Sequence, residues 1–210
     1  KAQFVEELML QGSTKATAEK EVNAAVDRII YYAGWCDKYT QLFSAVNPVA
    51  TSHFNFTAPE PTGIVSVFAP EENSLIGLVS TIMPVIASGN TCVVLASENK
   101  PLCAITFAEV LNSSDVPGGV VNILTGKRNE LLTHMASHMD VNAFLYAGAD
   151  KKEILAVQQA AVENLKRVRV QDFSDIYADK HETPYYIEDF LEMKTTWHPI
   201  EKIGATGSGY

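Results

Sequence analysis

Residues 63–171 alternate between short runs that are apolar throughout and segments long enough for helices. The runs 63–68, 91–95, 120–124 and 142–146 predict strands, and a fifth ends at Val170. The intervening segments 74–88, 101–112, 130–139 and 151–165 predict helices. Strands without a polar face, each followed by a helix, belong to a parallel sheet covered on both sides. The predicted fold is therefore α/β, a Rossmann-like sheet of five mostly parallel strands with helices on both faces. Such sheets bind ligands beyond the carboxyl ends of their strands, so function turns on what those ends contain.

The flanks have a different character. Residues 13–39 predict an N-terminal helix, because Ala18, Val22, Ala25, Ile29 and Tyr32 recur at helical spacing. Residues 48–62 hold three of the nine prolines and must be extended or turning, with 53–57 predicted to pair as an edge strand. After Val170 the stretch 172–182 is polar and acidic, 185–199 regains apolar content, and 194–198 predicts a terminal strand. Residues 203–210 are rich in Gly and Ser and read as a loose tail.

Composition narrows the function classes. Apolar residues make up 47% of 210, enough for a full core. A net charge of −9 without a basic stripe argues against nucleic acid and against an anionic membrane as partner. No run of 18 apolar residues is present, and no signal peptide opens the chain. Cys36, Cys92 and Cys103 are too few and too scattered for a disulfide framework or a zinc site. They fit a reducing, cytoplasmic setting and read as small buried hydrophobes. The chain opens on Lys1 rather than Met, which reads as a piece of a longer protein.

Several residues invite a sharper reading beside a plain one. Glu98 is either a ligand for two ribose hydroxyls or a cap on the following turn. Gly126-Lys127-Arg128-Asn129 lacks the spacing of a phosphate loop and reads as a solvated helix start. His134 and His138 stand four apart on a helix, but no third ligand can be assigned, so no metal is expected. Glu71-Glu72 reads as a water-facing loop.

Several whole stretches resemble the coenzyme-binding half of the aldehyde dehydrogenase superfamily. They are 31–38 (YYAGWCDK), 60–65 (EPTGIV), 84–94 (PVIASGNTCVV), 116–126 (VPGGVVNILTG) and 164–168 (NLKRV), in the family's order. Residues 190–197 resemble its C-terminal strand, which in these enzymes pairs with a neighbouring subunit.

The resemblance implies site residues, and the departures fall on them. After the first strand the family carries Pro-Trp-Asn, whose Asn donates to a developing oxyanion. This chain has Pro70-Glu71-Glu72, and an ionised Glu72 accepts where a donor is needed. After the second strand the family's Lys-Pro-x-Glu holds the adenosine ribose. Leu95-Ala96-Ser97-Glu98 keeps the acid and loses the cation. At the fourth strand the family's Phe-Thr-Gly-Ser sets a hydroxyl and a helix N-terminus against the pyrophosphate. Tyr146-Ala147-Gly148-Ala149-Asp150 drops the hydroxyl and adds a carboxylate, which satisfies that helix end itself. After the fifth strand the family's Glu-Leu-Gly-Gly-Lys carries the general base. Here Gln171-Asp172-Phe173 puts in that place a glutamine, which takes no proton at neutral pH.

None of the three cysteines occupies the position of the family's nucleophile, whose domain is absent. The pattern of loss resembles the degenerate C-terminal unit of family 16 aldehyde dehydrogenases. The resemblance implies three parts: 1–62, a helical segment and extended connection; 63–171, a vestigial coenzyme-binding domain; and 172–210, a linker and oligomerisation strand. No catalytic residue survives, with Glu72 and Gln171 the degenerate positions. Any vestigial coenzyme contact would fall to Glu98 and Gly148, and neither NAD nor a metal is expected. The expected role is a pseudoenzyme, as a homodimer or beside an aldehyde dehydrogenase-like unit of the same parent chain. The alternative is the NAD-binding part of an active enzyme whose catalytic domain lies elsewhere in that chain.

Overall fold

The computed structural model describes residues 1–200, so the tail at 203–210 lies outside the described residues. The chain begins with helices α1 (Ala2–Leu10), α2 (Lys15–Ala33) and α3 (Tyr39–Phe43), then strands β1 (Ala45–Asn47) and β2 (His53–Pro61). The alternating unit follows: β3 (Ile64–Phe68), α4 (Leu75–Ala87), β4 (Thr91–Leu95), α5 (Leu102–Asn112), β5 (Val121–Leu124), α6 (Arg128–Ser137), β6 (Ala143–Ala147), α7 (Lys151–Ala161) and β7 (Arg167–Gln171). A linker with the short helix α8 (Tyr185–Glu188) leads to β8 (Leu191–Pro199). Among the described residues, no helix is long and apolar enough to cross a membrane.

The five strands β3 to β7 form one parallel sheet in the order β5-β4-β3-β6-β7. From β3 the chain steps outward through β4 to β5, then returns to the far side of β3 with β6. The strand order therefore reverses between β3 and β6, and open α/β sheets bind ligands at such a reversal. Successive side chains on a strand face opposite ways. Val65, Val67, Ala143 and Leu145 accordingly join the core with α1, α2, α4 and α5. Phe68, Phe144 and Tyr146 join a second core under α6 and α7. Helix α4 is buried at every position from Leu75 to Val85 because the sheet lies on one side and α2 on the other. Ile76, Val79 and Ile82 are fully enclosed, and each contributes roughly 2 kcal/mol by leaving water.

Helix α2 serves α4 in a second way. Ser74, at the cap position of α4, donates its hydroxyl to the Lys100 carbonyl and offers the helix end nothing. Glu21, projecting from α2 and 4% exposed, fills that role. Its Oε1 accepts the N–H groups of Leu75 at 2.8 Å and Ile76 at 3.2 Å.

A separate antiparallel sheet has the order β1-β2-β8. The strand expected at an edge over 53–57 is longer and central, because β8 pairs with it over its whole length, from His53 opposite Pro199 to Pro61 opposite Leu191. Two helix readings also change, and one helix, α1, was not anticipated. α1 has no side-chain cap to announce it. The segment 13–39 breaks after Ala33, and the segment 151–165 leaves α-geometry after Ala161, passing through a 3-10 turn to Leu165 at φ 54°. Cys36 therefore lies beyond α2 and is exposed, whereas Cys92 and Cys103 are buried as expected.

The linker docks on α2 and α4 through buried polar groups. Arg28, 2% exposed, donates to Ser80 Oγ at 2.7 Å and to the Ile176 carbonyl at 3.1 Å. His181 is equally buried; its Nδ1 is 3.0 Å from the Tyr186 hydroxyl and its Nε2 has no partner among the described residues. Burial, then the nearby Lys180 and Arg28 charges, hold the His181 pKa below its ordinary value.

Two outcomes follow from these contacts. Glu21→Ala should cost about 2 kcal/mol by stripping two amides of a charged acceptor, read as a lower urea midpoint; an unchanged midpoint would show that water replaces the cap. For His181 the unfolded chain takes up its proton first, so stability is full above the ordinary pKa of about 6.5 and falls as pH drops toward the lower folded value. His181→Asn should flatten that acid-side loss in a melting-temperature series, and an identical slope would remove His181 as its source.

Candidate functional site

A cavity of about 460 Å³ opens at the carboxyl ends of β3, β6 and β7. Its walls are the loop after β3, the turn between β6 and α7, and the first residues after β7. It lies at the strand-order reversal, where this fold class places a ligand, and its volume falls in the range of small-molecule sites.

The largest group at its base is Arg128, the first residue of α6 and only 9% exposed. One face of its guanidinium lies over Phe68 and Tyr146, with ring centroids 4.9 and 5.5 Å away. Nη1 donates to the Ala69 carbonyl and to Glu71 Oε1, both at 3.1 Å, and Nη2 donates to Glu153 Oε2 at 3.1 Å. Glu153 Oε2 also accepts the Tyr146 hydroxyl at 2.6 Å. Burial pushes the Tyr146 phenol up to about 12, and its bond to Glu153 adds to the rise. For Arg128 burial opposes the charge, but Glu153 and Glu71 outweigh it and the net shift is upward. These residues form one ionic cluster tying the loop after β3 to α6 and α7. The solvated helix start expected at 126–129 is thus corrected at Arg128: the register that sets Phe68 opposite Tyr146 makes an aromatic floor, and two acids pull the guanidinium onto it.

Glu71 is corrected as well. It faces inward, where its carboxylate accepts from Ser97 Oγ, the Glu98 and Asn99 amides, the Asn99 side chain and Arg128. Glu72 keeps the exposed place expected of it and lines the cavity rim, its carbonyl accepting from Lys100 Nζ at 2.7 Å. Glu98 caps a helix rather than the following turn: its Oε2 accepts the Arg128 N–H at 2.9 Å, at the start of α6. Leu95 is fully buried in the core under α6.

Asp150 Oδ1 accepts the N–H groups of Lys152 at 2.7 Å and Glu153 at 3.3 Å, closing the N-terminus of α7. Gly148 lines the cavity directly over the Tyr146 ring, and a Cβ there would lie 3.1 Å from Tyr146 Cε1. Gln171 is buried but does not line the cavity. Its Nε2 donates to Asp189 Oδ2 at 3.1 Å, and its Oε1 has no partner among the described residues.

The remaining candidates are elsewhere. Burial pushes the Cys92 and Cys103 thiols up to about 12, and no cysteine borders the cavity. His134 and His138 flank a separate apolar cavity of about 300 Å³. Among the described residues, no group of three or more His, Cys, Asp or Glu is placed to hold a metal ion.

The structure brings together Glu71, Glu72, Gly148 and Asp150, and leaves Gln171 apart. Sequence reasoning missed Arg128 and Glu153. The available signal was an aromatic at the end of each of the two central strands, Phe68 and Tyr146, with a cation at one helix start and an acid at the next.

Comparison with known proteins agrees with the fold and extends it. The family model "Aldehyde dehydrogenase family" matches residues 2–171. Aldehyde dehydrogenase, cytosolic 1, of Elephantulus edwardii is 31% identical over 151 residues, which are 72% of this chain and 30% of that protein. Omega-crystallin of Enteroctopus dofleini is 29% identical over 165 residues, which are 79% of this chain and 33% of that one. PnpE of Pseudomonas sp. WBC-3 superposes with a TM-score of 0.75 at 25% identity, covering 80% of this chain and 34% of PnpE. A structure of PnpE in complex with nicotinamide adenine dinucleotide gives the same values. The chain spans about a third of the length of the curated relatives it matches. Its family is shown by the model that covers most of its length: the chain belongs to the aldehyde dehydrogenase family.

Proposed function

We propose that this chain is a non-catalytic aldehyde dehydrogenase-like unit that serves assembly or supports a catalytic unit of the same family. The observation that carries this reading is the content of the cavity. A dinucleotide presents a diphosphate, and the helix end nearest the cavity is already capped by Asp150. Glu71, Glu72, Glu153 and Asp172 add four more carboxylates to the walls, with Arg128 the only cation there. A second anion would meet repulsion and find the Lys152 and Glu153 amides already taken by Asp150. These residues do not fit NAD. Glu98 and Gly148 remain as vestiges of a site whose other groups have been replaced.

The pattern of substitution supports a finer assignment to the degenerate C-terminal unit of a family 16 aldehyde dehydrogenase. The buried and free thiols support a reducing, cytoplasmic setting. The arm formed by β1, β2 and β8 is the candidate for assembly. Among the described residues its outer strand β8 pairs on one side only, and Phe54 and Trp197 are about half exposed. A strand edge with exposed aromatics is a pairing surface, so a homodimer or a pseudo-dimer with a unit of the same parent chain is the proposed state.

A second reading has its own support: the chain spans a third of its relatives, and a solved neighbour is an NAD complex. On that reading this is the coenzyme-binding part of an active enzyme whose catalytic domain lies elsewhere in the parent chain.

Calorimetry with NAD separates the two. The expected result is no saturable heat at micromolar to millimolar coenzyme, and saturation at micromolar concentration would move the assignment to the second reading. Sedimentation should give a dimer whose dissociation constant rises at least about tenfold in Trp197→Asp. A monomer at micromolar concentration would remove the assembly role.

A further inference from the structure

The crevice between the ends of β3 and β6 already holds a planar group. The Arg128 guanidinium covers Phe68 and Tyr146, and its two terminal nitrogens donate to Ala69, Glu71 and Glu153. Beneath it, Phe68 and Tyr146 are 0% and 2% exposed and belong to the core that includes Leu95 and Leu132. The guanidinium is therefore the roof of that core, and its edges meet one carbonyl and two carboxylates. A guanidinium stacked on aromatic faces and bonded to carboxylates is held by both cation–π attraction and charge-assisted hydrogen bonds.

Remove the side chain and what remains is an aromatic and aliphatic floor with polar acceptors at its margin. That combination is what a flat heteroaromatic ring recognises: faces to stack on, and acceptors for its amino group. We propose that Arg128 is the resident occupant of this crevice, an internal contact that keeps it closed to the base of a nucleotide. This inference rests on the reading of the chain as non-catalytic, but it concerns a different exclusion. Asp150 and its neighbouring acids repel phosphate, whereas Arg128 denies the base its stacking surface.

Adenosine separates the two effects, because it carries the base and ribose without phosphate charge. The triple variant Arg128→Ala, Glu71→Gln, Glu153→Gln removes the guanidinium without leaving two carboxylates unpaired, and the single variant Arg128→Ala serves beside it. Adenosine should bind the triple variant at least about tenfold more tightly than the unaltered chain. It should also raise the unfolding temperature of the variant and not that of the unaltered chain, a readout that survives a marginally stable variant. Equal affinities, or an unfolding temperature that adenosine leaves unchanged in both variants, would overturn the inference. Saturable NAD binding by the unaltered chain would instead overturn the proposed function, so the two failures are distinguishable.

Discussion

A helix that follows a strand begins with amide groups that have no partner inside the helix, and in this sheet those groups all gather at one rim. The chain satisfies at least one of them at each helix from its own side chains. Glu21 takes the start of α4, Gln11 Oε1 accepts the Leu102 N–H at the start of α5, Glu98 takes α6 and Asp150 takes α7. Three of the four are carboxylates, the groups that helix dipoles favour at that end. Each cap contributes on the order of 1 kcal/mol to the fold. The same amides are the donors that a phosphate-binding fold of this class offers to its ligand, so stability here is drawn from groups that binding would need.

This constraint also explains which features were legible in the residues alone. β4 lies at 91–95 as predicted, and β3, β5, β6 and β7 fall within a residue or two of their expected bounds, because an unbroken apolar run between turn residues is a local signal. The Asp150 cap was legible for the same reason, its partners being two and three residues away. The caps from Glu21 and Glu98 join positions 54 and 30 apart in the chain, and no spacing rule reaches that far. Arg128 is the extreme case. Lys127 and Arg128 are adjacent and both cationic, yet Lys127 pairs with Glu130 in solvent while Arg128 turns onto the aromatic floor. Only the pairing of β3 with β6, which sets Phe68 beside Tyr146, separates them.

The arm shows a similar division between local and distant causes. β8 was expected from its β-branched and aromatic residues, but its partner was not, since β2 lies more than a hundred residues earlier. Aromatic pairs of His53 with Trp197 and Phe56 with His198 join the strands toward the tip, and an arginine ties the root to the parallel sheet. Arg167 of β7 donates to the carbonyls of Asp189 at 3.0 Å and Leu191 at 2.9 Å and meets Glu192 at 2.6 Å. Phe190 and Leu191 are buried there, whereas Phe54 and Trp197 at the far end are exposed. The arm is thus fixed where it leaves the parallel sheet, and its far end exposes aromatic side chains.

Gln171 joins these two themes. It stands where the family resemblance places a general base, and a carboxylate there would face Asp189, whose own carboxyl is pushed up by burial against the pull of Arg169 and Gln171. Two acids at that separation repel each other, while a glutamine donates to Asp189 and settles it beside Arg169 at 2.9 Å. The amide therefore ties the last strand of the parallel sheet to the root of the arm. The glutamine that stands where the resemblance implies a base is thus, by that hydrogen bond, a residue that anchors the segment proposed for assembly.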